Sequence, residues 1–250
     1  MIRNCKIFFS AAFVAALLSV SNAQANHVDF IVDGNFFLAT ASGGGPATGT
    51  QVGAGGNILG TERNVEIDVI SGVGFVTASP LGATDGVGEV GPDENTQLFL
   101  SNSVSVLGSF ELTYDGLEDE NGVSPGLGGI NFTANSEGPD PYNALVVDFA
   151  AVDGQGELLL QLSDSSGNFD TQAITVDSAG DVAFFYDTFV GVDATEIDSV
   201  QFTLNTTSAG SDFAISQITR ETVVAVPEPG TGLACVLGCV GLISARRRRR

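Results

Sequence analysis

Between residues 164 and 170 the chain reads DSSGNFD, which sets oxygen-bearing side chains at alternate positions: Asp164, Ser166, Asn168 and Asp170. Hard cations such as Ca²⁺ are held by several carboxylate, hydroxyl and carbonyl oxygens at once, so this spacing suits a loop that wraps a weakly bound calcium ion. It is not an EF-hand, because Gly167 stands at position 4 rather than 6 and Thr175 stands where the bidentate Glu belongs. The same residues also make an ordinary polar hairpin loop, with Ser-Gly and Gly-Asn as turn pairs. From the sequence the stretch is either a weak calcium site or a self-contained turn. A second acidic run, LEDENG with Glu118, Asp119 and Glu120, reads as a solvated loop.

Other chemistry lacks reagents. His27 is the only histidine, which removes zinc sites of several His ligands and leaves a nucleophile–histidine triad little to work with. Cys5, Cys235 and Cys239 all fall in the terminal segments, so residues 26–226 carry no thiol nucleophile and no disulfide. There is no G-x-S-x-G. The glycine-rich stretch 39–57 is no phosphate cradle, since no lysine follows Lys6. Carboxylate pairs suited to glycoside hydrolysis are available among so many acids. Sugar subsites are rich in aromatic rings, however, and the chain has no Trp and three Tyr (Tyr114, Tyr142, Tyr186). The balance favours a protein that is not an enzyme and needs no certain cofactor.

The charge is lopsided. Seven of the nine bases (Arg3, Lys6 and Arg246 to Arg250) lie at the two ends, so residues 26–226 set 29 acids against Arg63 and Arg220. Such a surface repels nucleic acid, whose binding needs clustered Lys and Arg, and attracts cations. The chain is nonetheless 43% hydrophobic with 17 Phe, a composition that buries a core rather than staying disordered.

The elements that must position these groups are strands. Hydrophobic residues recur with period 2: Val65, Ile67 and Val69 in one run; Val104, Val106, Phe110, Leu112 and Tyr114 in another; Val200, Phe202 and Leu204 in a third. ALVVDFAAV (144–152) and ELLLQLS (157–163) read as more deeply buried strands, and DFAISQI closes the set. No window sustains a helical period. Two long Gly/Pro/Asn-rich stretches, 39–57 and 116–143, read as loops. The expected fold is all-β, an antiparallel sandwich of the jelly-roll kind, spanning residues 26–223 as one domain.

The ends read differently. Residues 1–25 pass from a basic start through the apolar run Ile7 to Val20 to SNAQA, the pattern of a secretory signal peptide. Ala23 and Ala25 fit the cleavage site, with cutting after Ala25 and the alternative after Ala23. At the other end, residues 224–250, Val226-Pro227-Glu228-Pro229 precede an apolar run, Gly230 to Ala245, and then Arg246, Arg247, Arg248, Arg249 and Arg250. As a helix the 16 apolar residues extend ~24 Å, slightly short of a ~30 Å hydrocarbon core. The arginines resist passage through lipid, so the domain is expected outside and the tail inside. The two prolines keep the preceding strip extended and accessible.

Pro-Glu-Pro, a glycine-rich apolar helix and a terminal arginine cluster, in that order, resemble the PEP-CTERM sorting signal of exported bacterial proteins. The resemblance covers about 25 residues. It implies an exosortase that recognises and removes the tail after signal peptidase has acted, a diderm bacterium that makes exopolysaccharide, and passage through the inner membrane to the cell surface or biofilm matrix. Residues 181–218 also resemble, loosely, the final strands of carbohydrate-binding-like β-sandwiches found before such tails, with Asp193, Ile197 and Val200 opening one strand and Asp212 leading the last. The expected function is therefore a non-enzymatic surface or matrix protein, with a Ca²⁺-dependent carbohydrate-binding module as the alternative and a secreted hydrolase as a distant third. The mature protein is expected to lack the residues from about Pro229 onward, and Ser at 246–250 should leave unprocessed protein. Intact-mass measurement of surface protein decides this: five retained arginines would make the tail a plain anchor.

Overall fold

The computed structural model describes residues 27–29, 37–52, 58–81, 97–117, 124–135 and 138–223. The signal segment, the Pro-Glu-Pro strip, the apolar run, the arginine tail and the 118–120 acidic run lie outside the described residues. Among the described residues no helix is long and apolar enough to cross a membrane.

The chain forms an all-β, antiparallel sandwich. Its strands are β1 (His27–Asp29), β2 (Leu38–Ala41), β3 (Ala47–Val52), β4 (Glu62–Ser71), β5 (Phe75–Leu81), β6 (Gln97–Asn102), β7 (Leu107–Tyr114), β8 (Ala144–Asp153), β9 (Gly156–Asp164), β10 (Phe169–Val176), β11 (Gly180–Phe185), β12 (Ile197–Thr206) and β13 (Asp212–Glu221). One sheet runs β11-β8-β13-β6-β5-β2, with β1 also paired to β13; the other runs β10-β9-β12-β7-β4-β3. From β6 onward the chain changes sheet at every connection except the β9–β10 hairpin.

The alternation expected from the sequence closes the two layers on one core. Val65, Ile67, Phe110, Leu112, Leu158, Leu160, Leu162, Val200, Phe202 and Leu204 point inward from the six-stranded sheet. They meet Val76, Leu98, Leu100, Phe149, Phe213 and Ile215 from the other. Edge-to-face ring pairs, Tyr114 with Phe202 at 6.3 Å and Phe149 with Phe213 at 6.2 Å, give this interior its geometry. β12 opens at Ile197 and β13 at Asp212, as the 181–218 pattern places them, but Asp193 lies in the turn before β12 rather than in the strand.

Two expectations fail. The stretch 39–57 contains most of β2 and all of β3, rather than one loop. β3 is a sheet edge, paired to β4 from Ala47↔Ile67 to Val52↔Glu62, and an edge strand needs only one hydrophobic face, so Thr and Gly pass there. Val104 does not join the Phe110–Leu112–Tyr114 face. It sits 90% exposed in the turn between β6 and β7, where the Val106 amide closes onto the Ser103 carbonyl at 2.8 Å.

The core also holds a charge. Arg63 on β4 is fully buried, and its Nη1 pairs with the equally buried Asp29 carboxylate of β1. Its Nε donates to Gln51 Oε1 of β3 at 3.0 Å, and its Nη2 donates to the same oxygen. Tyr114 of β7 donates its hydroxyl to Asp29 Oδ2 at 2.6 Å. Burial alone would lower the Arg63 pKa, but the Asp29 charge and the Tyr114 hydroxyl raise it, so the guanidinium stays charged. Burial and the Asp29 charge push Tyr114 well above the usual phenol range. Removing one member of such a pair strands the other: Asp29→Ala should cost about 3–5 kcal/mol, a fall of ~6–20 °C in Tm for a domain this size. Tyr114→Phe should cost about 1–2 kcal/mol, the loss of one charge-assisted bond. Calorimetry on both variants checks the order; an Asp29→Ala protein melting with the wild type would mean the pair contributes nothing.

Candidate functional site

Alternation in the six-stranded sheet places the polar member of each pair on its outer face, and strand register lines these residues up. Thr50 lies opposite Asn64, Asn64 opposite Thr113, Thr113 opposite Gln201, Gln201 opposite Gln161, and Gln161 opposite Thr171. The result is an unbroken row of hydroxyl and amide side chains across six strands, ~24 Å at the ~4.8 Å strand spacing. All six are half-buried or exposed. Thr50 Oγ1 donates to Asn64 Oδ1 at 2.7 Å and Thr171 Oγ1 to Gln161 Oε1 at 3.4 Å, so the ends of the row are held by their neighbours.

A second row runs beside it: Thr48, Glu66, Glu111, Thr203, Leu159 and Ala173. At its β4–β7 step Glu66 faces Glu111 directly, two like charges opposed on one ladder. Around them Thr48, Thr50, Asn64 and Thr113 line a groove of 330 Å³. No cation lies on this face among the described residues, since Arg63 is in the core and Arg220 belongs to the other sheet.

The 164–170 loop joins β9 to β10. Asp164 is buried and accepts four bonds: its Oδ1 from the Ser166 and Asn168 amides at 3.0 and 2.9 Å, its Oδ2 from Asn168 Nδ2 and the Asp193 amide at 2.9 and 3.1 Å. The bond from the Asn168 side chain, then that from the Asp193 amide, holds its carboxyl below the usual carboxylate range. Gly167 turns the hairpin at φ +82°, a conformation that suits glycine. Asp170 faces another way, accepting from the Val190 amide at 2.7 Å and the Thr171 amide at 2.9 Å, and these bonds lower its pKa too. The structure therefore uses Asp164 and Asn168 together, turns Asp170 to the 188–190 segment and leaves Ser166 at the exposed tip. A cation reaching Asp164 would have to displace these donors. Among the described residues no group of three or more His, Cys, Asp or Glu side chains is arranged to hold a metal.

Two of the three tyrosines meet at the β8–β11 end of the other sheet. Thr133, Pro141, Tyr142, Asn143, Phe185, Tyr186 and Asp187 line a pocket of 360 Å³. Tyr186 packs edge-on against Phe132 at 6.1 Å, and the Arg220 guanidinium lies 5.6 Å from the Phe132 ring centre and 5.5 Å from that of Tyr142. Burial lowers the Arg220 pKa and raises that of Tyr186. The sequence carries no sign of this pocket, because residues 132, 142, 186 and 220 are far apart along the chain and no periodicity links them.

No protein-family model matches the chain, and no curated protein matches it. Among solved structures it is similar to the family 11 carbohydrate-binding module of a cellulosomal cellulase of Clostridium thermocellum (12% identity, 78% of this chain and 98% of that one, TM-score 0.32). It is also similar to the enzymatically active domain of bacteriophage CBA120 tailspike protein 4 (14% identity, 64% of this chain, TM-score 0.34), of which it spans only 19%. An exo-β-agarase gives 14% identity over 65% of this chain and 23% of that one, with a TM-score of 0.36. Likenesses at this level say nothing of ligand or activity.

The Asp164 geometry has a pH consequence. A carboxyl whose folded pKa is depressed contributes stability above its ordinary value near ~3.9 and loses it as the pH falls through the folded value. Asp164→Asn sets an amide N–H₂ against the donors around it, so the variant should have a lower Tm at neutral pH. Its Tm should also change less than the wild type between about pH 4 and pH 2. Parallel melting curves over that range would show that these bonds do not stabilise the fold.

Proposed function

We propose that the domain is a non-enzymatic, exported module that engages neutral polysaccharide through the outer face of its six-stranded sheet. The observation that carries this reading is the row Thr50–Asn64–Thr113–Gln201–Gln161–Thr171, aligned by register across every strand of the sheet. Hydroxyl and amide groups donate and accept at once, which is what the hydroxyls of a sugar chain require. A row of ~24 Å is long enough to lie along several sugar rings rather than to grip one. The 29 acids and two bases of residues 26–226 argue against an anionic polymer. The strand path, which from β6 onward crosses between sheets at every connection except the β9–β10 hairpin, supports reading the sandwich as a jelly roll.

Delivery belongs to the same proposal. The expected signal peptide, Pro-Glu-Pro strip, membrane helix and arginine tail support export and exosortase-type processing, with the domain left at the cell surface or in the matrix beside exopolysaccharide. Calcium is not needed in this reading: bonds from the amide–hydroxyl row require no metal, and Asp164 already accepts from Ser166, Asn168 and the Asp193 amide.

Binding to an array of neutral polysaccharides, in Ca²⁺ and in EDTA, tests the reading. Gln161→Ala with Gln201→Ala removes two central bonds of about 1 kcal/mol each and should weaken binding roughly thirtyfold without altering the fold. Equal affinity in Ca²⁺ and EDTA is expected, with no reducing ends released. Binding unchanged in the double variant would remove the row from the site. A strict calcium requirement would move the site to the 164–170 loop, and release of reducing ends would revive the hydrolase alternative.

A further inference from the structure

The end of the sandwich at which β13 begins is made of turns that cross between the two sheets. Two of them, 72–74 between β4 and β5 and 103–106 between β6 and β7, are bonded to each other. The Ser103 amide donates to the Phe75 carbonyl at 2.9 Å, the Phe75 amide to Ser103 Oγ at 2.9 Å, and Ser105 Oγ to the Val73 carbonyl at 3.0 Å. The Gly74 carbonyl accepts from the Ser42 amide at 3.1 Å, and the Val106 carbonyl from the Gly210 amide at 3.3 Å. Glycine permits this approach: a Cβ on Gly72 would overlap the Ser105 carbonyl, and one on Gly74 would lie 2.6 Å from Ser103 Cβ.

While the polar backbone groups turn inward, apolar side chains turn out. Val73 is 81% and Val104 90% exposed, and Ile70 and Phe75 beside them are each more than half exposed. Large apolar side chains gathered in the open at one place mark a contact surface. Charge is missing here, although residues 26–226 carry 29 acids: none of 69–84, 95–110 and 199–211 is ionisable. The first carboxylates along the strands are Asp68 on β4 and Asp212 at the start of β13. The strand ends Val52, Leu81, Gln97 and Tyr114, which lead toward undescribed segments, lie at the opposite end of the sandwich.

We propose that the paired turns are a lipid-contacting tip, which seats Val73 and Val104 in the interfacial layer of an electrically neutral bilayer, with Ile70 and Phe75 at its margin. Three observations select lipid. Backbone groups that enter lipid must find partners within the protein, and the carbonyls of Val73, Gly74, Phe75, Ser103 and Val106 already have them. Four side chains fall far short of the roughly 20–30 residues a side that a stable protein interface uses, whereas a few apolar groups suffice for shallow interfacial contact. Charge then selects neutral lipid, because an anionic leaflet repels the acidic body, and Asp68 and Asp212 limit the depth of entry. The tip lies ~23 Å along β4 from Asn64, so lipid contact does not compete with the amide–hydroxyl row and does not depend on it.

The chain has no Trp, so Val104→Trp places a single reporter at the tip. The full chain carrying it is reconstituted in phosphatidylcholine vesicles and mixed with vesicles of brominated phosphatidylcholine, which confines lipid contact by the 230–245 run to the first bilayer. The brominated vesicles should quench the reporter and shift its emission to the blue. Adding Val73→Asp, a change at an exposed turn, should weaken this contact about tenfold or more. Brominated vesicles with about 30 mol% phosphatidylglycerol should quench less, because they repel the acidic body. Val190→Trp, at a valine 81% exposed outside these turns, should not be quenched. No quenching at position 104 overturns the proposal, as does equal quenching at 190, which would be contact without a tip. A blue shift that follows protein density in the first vesicles and ignores the second would mean that the tip meets another copy of the chain, and equally overturns it.

Discussion

A full positive charge sits in the middle of this protein, and the way it is neutralised ties the sandwich together. Arg63 on β4 reaches Asp29 on β1 and Gln51 on β3, while Tyr114 on β7 completes the shell of Asp29. β1 hydrogen-bonds to β13 in the other sheet, so this cluster bridges the two layers from inside the core. Burying two ions is costly in itself, and their attraction offsets the loss of hydration only if the remaining donors and acceptors find partners. Gln51 and Tyr114 supply them. The arrangement demands that a three-residue strand at the start of the domain be seated correctly, because a misplaced Asp29 leaves Arg63 uncompensated in a low-dielectric interior.

The same economy of cations shapes the surface. With Arg63 consumed in the core and Arg220 set against Phe132 and Tyr142, the groove around Glu66 and Glu111 is lined mainly by acids, hydroxyls and an amide. Acids facing one another, as Glu66 and Glu111 do, repel at low salt and are eased by cations from solution. The amide–hydroxyl row is the neutral part of this field. Neutral polar ligands suit such a surface, since they exchange hydrogen bonds with it without meeting its charge.

Much of the architecture is legible in the sequence because it rests on period 2. Val65 and Ile67, Phe110 and Leu112, Val200, Phe202 and Leu204 lie inward as the alternation requires, and Asp212 leads the final strand. The departures have local physical causes. β3 reads as loop because an edge strand tolerates Thr and Gly that a central strand would not. Val104 reads as a core residue because a turn of only a few residues does not break the parity of the pattern. Asp164, Ser166, Asn168 and Asp170 alternate as ligands would, yet side-chain direction obeys the hairpin, which points Asp164 back into its own loop and Asp170 toward Val190.

Sequence alone determined the chemistry on offer. It limited the domain to two cations and no thiols, specified strands rather than helices through hydrophobic alternation, and placed distinct segments at both ends. Those properties are local, residing in composition or in neighbours a few positions apart. Tertiary structure decided which of these groups meet. Register, which depends on every ladder of the sheet, brought Thr50, Asn64, Thr113, Gln201, Gln161 and Thr171 into one line. Packing of the two layers chose Arg63 for the core and Arg220 for the tyrosine pocket, although each is simply a lone arginine in an acidic chain. A residue's ladder partner can lie far along the chain, as Thr219 does from His27, and only the closed fold reduces that separation to a hydrogen bond.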